Sequence, residues 1–343
     1  MNDSKTIIGT DSSDNTDTGV DSGVNADTGV GNSSNTDAGA DYRANVDTRT
    51  NDKINITGIY VNRTDIKGAA YAVSSYVARK CSSGSGGSSG SRSGGSGCSS
   101  GSRSGNGSIH ACGGAYASVS SSSSARFPAM VCTPNAEIMM EAQNDKLLHD
   151  ILNAADLVIA DGAGVVLASK ILGHKNLERV PGFDLVKELL TNPARYPFSF
   201  FFLGGKPGVA ESAAAKIAES SPNTKISGCR DGYFSELQES DIIEQVNKSG
   251  TDILLVALGA PRQEKWIFKN RSRLNVTVCI GVGGSLDVLA GSASLAPAFF
   301  RNNGLEWLYR LYKEPRRLRR MLRLPKYVLF AFYWRLFRQG KKE

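Results

Sequence analysis

Short, continuous runs of apolar residues alternate with helix-forming segments along most of the chain, and this pattern constrains the fold most. The predicted strands cover residues 54–61, 128–132, 156–160, 198–205, 252–259 and 276–284. A strand that is apolar throughout must be covered on both faces, and the intervening helices can supply that cover. The sequence therefore predicts an α/β fold of Rossmann-like type, with a mostly parallel sheet and helices on both faces.

Two segments of low complexity interrupt the alternation. Residues 1–52 contain ten Asp against three Lys or Arg and offer almost nothing to bury, so we predict a disordered acidic leader. Residues 81–125 are dominated by Gly and Ser, and we interpret them as a disordered insertion in a surface loop. The α/β domain is then predicted to span residues 53–300.

The end of the chain is basic and aromatic. Residues 301–343 carry thirteen Lys or Arg against three Glu, and basic surfaces attract the phosphates of nucleic acids or of anionic lipids. The longest apolar run there is YVLFAFYW, from Tyr327 to Trp334, about half of the roughly 20 residues that a membrane-spanning helix needs. We predict a basic, helical, amphipathic appendage that docks on a membrane without crossing it.

Cysteine usage gives no sign of a metal site or of a disulfide framework. The six cysteines form no CxxC pair and have no ligand-like spacing to the three histidines. Reduced thiols favour a cytoplasmic protein, and the first residues lack the apolar core of a signal peptide.

Polar or glycine-rich residues follow the predicted strands, where parallel sheets bind their ligands. They are Thr133 and Asn135, Asp161, Gly204 and Gly205, Gln263, and Gly283, Gly284 and Asp287. Asp161 is the leading candidate because it follows four apolar residues and has glycines beside it. Its carboxylate could act as general base on a sugar hydroxyl, or it could cap the next helix.

Other candidates have ordinary alternatives. The segment GGKPG, from Gly204, could cradle a phosphate at a helix N-terminus, but it matches no phosphate-binding motif and could be a plain tight turn. Arg179 could anchor a phosphate or be a surface arginine. Glu264 is interpreted as a charge that complements the dipole of its helix.

In their order along the chain, these segments resemble the WecG/TagA/CpsF family of glycosyltransferases. The similar segments, within residues 54–80 and 126–325, are TPNAEI, ADLVIADGAGVV, ERVPGFDL, FLGGKPG, GYF, LGAPRQEKW, GVGGSLDVLAG and GLEWLYRLYKEPRR. The resemblance implies an inverting hexosyl transfer from a UDP-sugar, without a metal or other cofactor. One departure is Ala160, which stands where the family usually has proline before Asp-Gly.

The resemblance also implies roles for single residues. Asp161 is the implied catalytic base, and the other implied catalytic residues are Thr133, Asn135, Arg179 and Gln263. The predicted substrate-binding residues are Gly204, Gly205, Tyr233, Gly283, Gly284, Asp287, Arg310, Arg317 and Arg320.

The implied reaction moves N-acetylmannosamine from UDP-N-acetylmannosamine to the C4 hydroxyl of N-acetylglucosamine on undecaprenyl diphosphate, a step in wall teichoic acid synthesis. UDP-N-acetylmannosaminuronic acid or another UDP-hexose is an alternative donor. The protein would then work at the cytoplasmic face of the membrane, held there by its basic end, and a homo-oligomer could form through the same surface.

Two functions from other classes remain open to the sequence. A nucleic-acid-binding protein with a basic arm would bind in a salt-sensitive manner and would have no use for Asp161. A nucleotide-dependent dehydrogenase is disfavoured because no GxGxxG motif follows the first predicted strand.

Overall fold

The computed structural model describes residues 52–83, 127–313, 315 and 318–337. The predicted leader up to residue 51 and residues 84–125 of the predicted insertion lie outside these ranges. The first helix, α1, covers Ile66–Ser83 and so continues three residues past the predicted start of the insertion.

Six strands form one sheet in which all neighbours are parallel. The strands are β3 (Ala129–Cys132), β4 (Leu157–Val158), β5 (Ser199–Gly204), β6 (Lys225–Arg230), β7 (Ile253–Ala257) and β8 (Val278–Gly281). Their order across the sheet is β4-β3-β8-β7-β5-β6. The predicted parallel α/β fold is confirmed, with β6 as an additional edge strand.

The strand predicted over residues 54–61 is wrong, because the chain reverses in its middle. Two short strands, β1 (Lys53–Ile56) and β2 (Ile59–Asn62), pair antiparallel in a separate sheet. Thr57 and Gly58 form the turn with φ of 54° and 91°, the left-handed pair that two-residue hairpin turns require. The side-chain oxygen of Asn55 accepts a 2.7 Å hydrogen bond from the Gly58 amide.

Helices cover both faces of the large sheet. Besides α1, they are α2 (Ala136–Glu141), α3 (Lys146–Ala154), α4 (Ala163–Ile171), α5 (Gly182–Thr191), α6 (Val209–Ser220), α7 (Glu239–Lys248), α8 (Arg262–Asn270) and α9 (Ser285–Leu289). In β5, Phe200 and Phe202 join a core with α1, α5 and α6. Phe201 and Leu203, on the opposite face, join a core with α2, α3, α7 and α8. Burial on both faces explains why these strands are apolar throughout.

The end of the chain is helical, as predicted, but its longest helix belongs to the domain core. The helices are α10 (Ala298–Asn302), α11 (Glu306–Lys313), α12 (Leu318–Met321) and α13 (Arg323–Phe337). Helix α13 packs on α2 and α4, with Tyr327 and Ala331 fully buried. Arg323 bonds to Glu141 at 2.8 Å, and Arg335 donates to the Ile171 carbonyl at 2.6 Å. Helix α13 is therefore in close contact with the α/β part of the chain, and the boundary at residue 300 stays a prediction.

The side of α13 that faces away from the core is also apolar. Its exposed residues, which follow the i, i+3, i+4, i+7, i+8 pattern of one helix face, are Leu329, Phe332, Tyr333, Leu336 and Phe337, each 48–73% exposed. We call this set the outer face of α13. No helix in the described part of the chain is both long and apolar enough to cross a bilayer.

Candidate active site

The carboxyl ends of β3 and β4 bring Asp161 next to Thr133 and Asn135. The amide of Asp161 donates a 3.2 Å hydrogen bond to the carbonyl of Pro134. A Cβ atom added at Gly162 would lie 3.7 Å from the Asn135 Cβ. These contacts place Asp161 and Asn135 on one rim of the sheet, with Thr133 at the end of β3 beside them.

The cap of α4 bears on the alternative role for Asp161. The N-cap position of α4 belongs to Gly162, whose φ of 107° suits glycine. By contrast, Asn135 is the N-cap of α2, and its Oδ1 accepts a 3.0 Å hydrogen bond from the Ile138 amide. The N-cap residue of α4 is thus Gly162, one position after Asp161, and Asp161 is half-buried at the rim. Its role as a base stays a prediction.

Thr133 and Gln263 lie behind the rim and bond to the end of β8. Thr133 is 8% exposed and Gln263 is 2% exposed. The hydroxyl of Thr133 donates to the Gly281 carbonyl at 3.2 Å, and the Gly283 amide donates to the Gln263 Oε1 at 3.0 Å. The family resemblance implies a catalytic role for both residues, and that role stays a prediction. Through these bonds both residues hold the glycine turn of residues 281–284.

Arg179 bonds to residues 301 and 306, near the C-terminal end of the described chain. Its Nη2 atom lies 2.8 Å from the Glu306 Oε1, and its Nη1 atom donates to the Arg301 carbonyl at 3.0 Å. The next residue, Val180, donates to the carbonyl of Ala160, so this contact lies close to Asp161. A Cβ atom at Gly304 would come within 2.7 Å of the Ala163 Cβ. Arg179 therefore holds residues 301–306 against the Asp161 turn; its predicted role as a phosphate anchor stays a prediction.

The Arg179–Glu306 ion pair should stabilise the fold measurably. Its side chains are 23% and 26% exposed, so solvent screens the pair only in part. We expect a coupling energy of about 1 kcal/mol in a double-mutant cycle of Arg179→Gln and Glu306→Gln, measured by urea unfolding. The matched control is the Lys146–Asp150 pair, 92% and 57% exposed. A coupling energy no larger than in that control would contradict the proposed stabilisation by the Arg179–Glu306 ion pair.

The glycines at the other strand ends fall into two groups. Gly204 has φ of 133°, and a Cβ there would collide with the carbonyl of Ala257, so close approach of β5 and β7 explains this glycine. Gly283 has φ of 51° and nothing within 4 Å of its Cβ position. Gly284 lies next to Asp287, whose Oδ2 is 3.9 Å from the Gly284 Cβ position. The turn after β8 thus borders open space, where a ligand could lie.

The remaining predicted residues differ in how far the structure describes them. Gly205 has φ of 75° at the start of the turn into α6. Tyr233 follows β6 and is 67% exposed. Arg310 and Arg320 lie on α11 and α12, but their side chains, like the whole of Arg317, lie outside the described residues. Within the described ranges, no cluster of three His, Cys, Asp or Glu residues could hold a metal ion.

A cavity of about 450 Å³ lies beside this rim rather than in it. It is lined by Phe234 and Arg262, among others, and Arg262 stacks 5.3 Å from the Phe234 ring. Its lysines, Lys265 and Lys269, pair with Asp145 and Glu239. It contains none of the predicted residues, so the rim at Asp161 remains the candidate site.

Together the fold and site define an α/β protein with a carboxylate and an open glycine turn at the carboxyl edge of a parallel sheet. The sequence model of the family described as "Glycosyl transferase WecG/TagA/CpsF family" matches residues 108–341. The chain belongs to this family and is a glycosyltransferase, which confirms the resemblance seen in its motifs.

Two relatives carry the name N-acetylglucosaminyldiphosphoundecaprenol N-acetyl-beta-D-mannosaminyltransferase. The protein of Bacillus subtilis (strain 168) is 37% identical over 201 residues, which cover 59% of this chain and 78% of the relative. The protein of Bacillus spizizenii (strain ATCC 23059 / NRRL B-14472 / W23) is 38% identical over 200 residues, with 58% and 77% covered.

Proposed function

We propose that this glycosyltransferase moves N-acetylmannosamine from UDP-N-acetylmannosamine to the C4 hydroxyl of N-acetylglucosamine on undecaprenyl diphosphate. The names of both relatives support the sugar and the acceptor. The observation that carries the mechanism is the placement of Asp161 on the rim beside Asn135, with the end of β8 nearby.

The order of the strands leaves room for the reacting sugar. Strands β4 and β8 flank β3, so the Asp161 turn and the Gly283 turn are separated by two strand spacings, roughly 10 Å. A hexose between them would present its anomeric carbon to the acceptor on the Asp161 side. Its diphosphate would lie toward the Gly283 turn. This arrangement favours displacement from the face opposite the leaving group, and hence inversion.

Each bond change then has a group to support it. Asp161 takes the proton of the acceptor hydroxyl while that oxygen attacks the anomeric carbon. The bond from the anomeric carbon to the diphosphate oxygen breaks, and UDP leaves with the negative charge. Arginines of the C-terminal segment, for which Arg310, Arg317 and Arg320 are the candidates, stabilise this charge in place of a metal ion. Asp161 later returns its proton to water.

A lipid-linked acceptor requires contact with a membrane, and α13 offers the surface for it. We infer that the outer face of α13 enters the interface while neighbouring basic residues approach anionic headgroups, which stabilise binding by about 1 kcal/mol per charge. The enzyme would then be a peripheral protein of the cytoplasmic face. A second copy that covers the same face in the absence of lipid is the alternative arrangement.

A panel of donors tests the assignment. We expect transfer from UDP-N-acetylmannosamine to a lipid-diphosphate N-acetylglucosamine analogue with kcat/KM at least tenfold above that for UDP-N-acetylmannosaminuronic acid or UDP-N-acetylglucosamine. EDTA should leave the rate unchanged. Preference for the uronic acid would assign the alternative donor. Absence of all transfer, with salt-sensitive RNA binding instead, would contradict the proposed function.

A further inference from the structure

Glu264 is a buried carboxyl group that neither the motifs nor the reaction explains. The sequence predicted a charge that complements the dipole at the start of α8, and the residue is only 2% exposed. Its Oε1 accepts a 2.8 Å hydrogen bond from the Gln263 Nε2, and its Oε2 is buried without a hydrogen-bond partner among the described residues. Within the same residues it forms no ion pair. Glu264 lies in the first turn of α8, as the dipole interpretation requires, but it is buried there.

The Gln263 amide connects this carboxyl to the glycine turn. One end of the amide donates to Glu264, and its carbonyl oxygen accepts from the Gly283 N–H. Without an acceptor for Nε2, the amide could rotate by 180° and present N–H groups to the Gly283 N–H, which would break that bond. A Cβ at Gly281 would lie only 2.8 Å from the Gln263 Nε2, so the amide lies directly against the end of β8.

We propose that Glu264 is a positioning residue that fixes the Gln263 amide and thereby holds the turn of residues 281–284 in the shape that receives the donor diphosphate. Glu264 acts as an uncharged acid in this role. The part concerning the donor rests on the proposed function, whereas the part concerning the turn rests on geometry alone. Glu264 itself touches no substrate.

Burial supports the uncharged form. It raises the pKa of Glu264, the Gln263 hydrogen bond opposes the rise, and nearby Glu141 adds to it. The thiol of Cys132, which also faces Glu264, has its own pKa raised by burial. The pKa of Glu264 is therefore higher in the folded state than in the unfolded state. Protonated Glu264 contributes its full stability to the fold below the ordinary pKa of 4.5, and this contribution is lost as the pH rises through the folded-state pKa.

Two variants of similar size separate positioning from space filling. Glu264→Gln keeps an acceptor for the Gln263 Nε2, whereas Glu264→Met fills the same volume without one. We expect Glu264→Met to lose protection of the Gly283 amide from hydrogen exchange. We also expect it to raise the Kd for UDP about tenfold. Glu264→Gln should retain both properties and should gain stability over the wild type as pH rises above the ordinary carboxyl value of 4.5.

A second pair of measurements keeps the proposal testable if Glu264→Met folds poorly. Gln263→Met should cause the same loss of Gly283 protection, and the double variant should lose no more than either single one. Normal Gly283 protection and normal UDP affinity in Glu264→Met would overturn the proposal, as would additive losses. If the wild type bound no UDP while Glu264→Met still lost Gly283 protection, the proposed function would fail and the positioning role would stand.

Discussion

Replacing Asp161 with Asn is expected to lower kcat for sugar transfer by about 10³-fold while leaving the fold intact. Asn has nearly the same shape, so the hydrogen bond from the residue 161 amide to the Pro134 carbonyl should persist. The Asn side chain cannot take a proton at neutral pH, and loss of a general base typically lowers the rate 10²- to 10⁴-fold. The measurement is single-turnover transfer from the radiolabelled donor, with circular dichroism and the thermal midpoint as checks on folding.

The same chemical change far from the rim supplies the control. Asp150 lies on α3, is 57% exposed and pairs with Lys146 on the surface. Asp150→Asn should change neither kcat nor the Kd for UDP. If Asp161→Asn turned over at the wild-type rate, Asp161 would not be the base and the proposed mechanism would be wrong.

Removing two leucines from the outer face of α13 is expected to weaken transfer to acceptor in vesicles by up to about 100-fold. Leu329 and Leu336 are 68% and 73% exposed, so the double change to Gln removes no core packing. Full burial of both in lipid would contribute about 3 kcal/mol, which sets the size of the effect. The measurement compares anionic vesicles carrying the lipid acceptor with a short-chain, water-soluble acceptor.

Only the vesicle reaction should change. The matched control, Leu147→Gln with Leu237→Gln, alters two leucines that are 51% and 92% exposed on other surfaces, and it should leave both reactions intact. Equal losses with the two acceptors would contradict docking through α13. Truncation after Asn303 would not test the point, because it removes Tyr327 and Ala331 from the core and would destabilise the whole domain.

The sheet could be predicted because most of its strands are recognisable as continuous apolar runs in the sequence. Five of its six strands are apolar runs whose burial on both faces the sequence displays directly. The edge strand β6 was missed because KISGCR is only half buried and includes Gly228, which packs against the Phe201 ring. The hairpin was missed because one Thr-Gly pair, inside an otherwise apolar run, reverses the chain.

The candidate site was predictable as a set of positions, but not as a set of contacts. Strand ends identify Asp161 and Asn135, since parallel strands bring their carboxyl ends to one edge. The partners of Arg179 and Gln263 are not local: Glu306 lies 127 residues from Arg179, and Gly283 lies 20 from Gln263. Burial of Glu264 depends on packing between α8 and the sheet, which the sequence does not display, since glutamates are mostly exposed.

The stereochemistry of the product tests the mechanism most directly. Wild-type enzyme would be incubated with UDP-N-acetylmannosamine, an α-linked donor, and the lipid-diphosphate acceptor analogue. The anomeric configuration and linkage of the product would then be determined by NMR from its one-bond carbon–proton coupling. A base at residue 161 that drives a single displacement yields the β-linked sugar on the C4 oxygen of N-acetylglucosamine. An α-linked product would mean retention through a double displacement, and the role proposed for Asp161 would be contradicted.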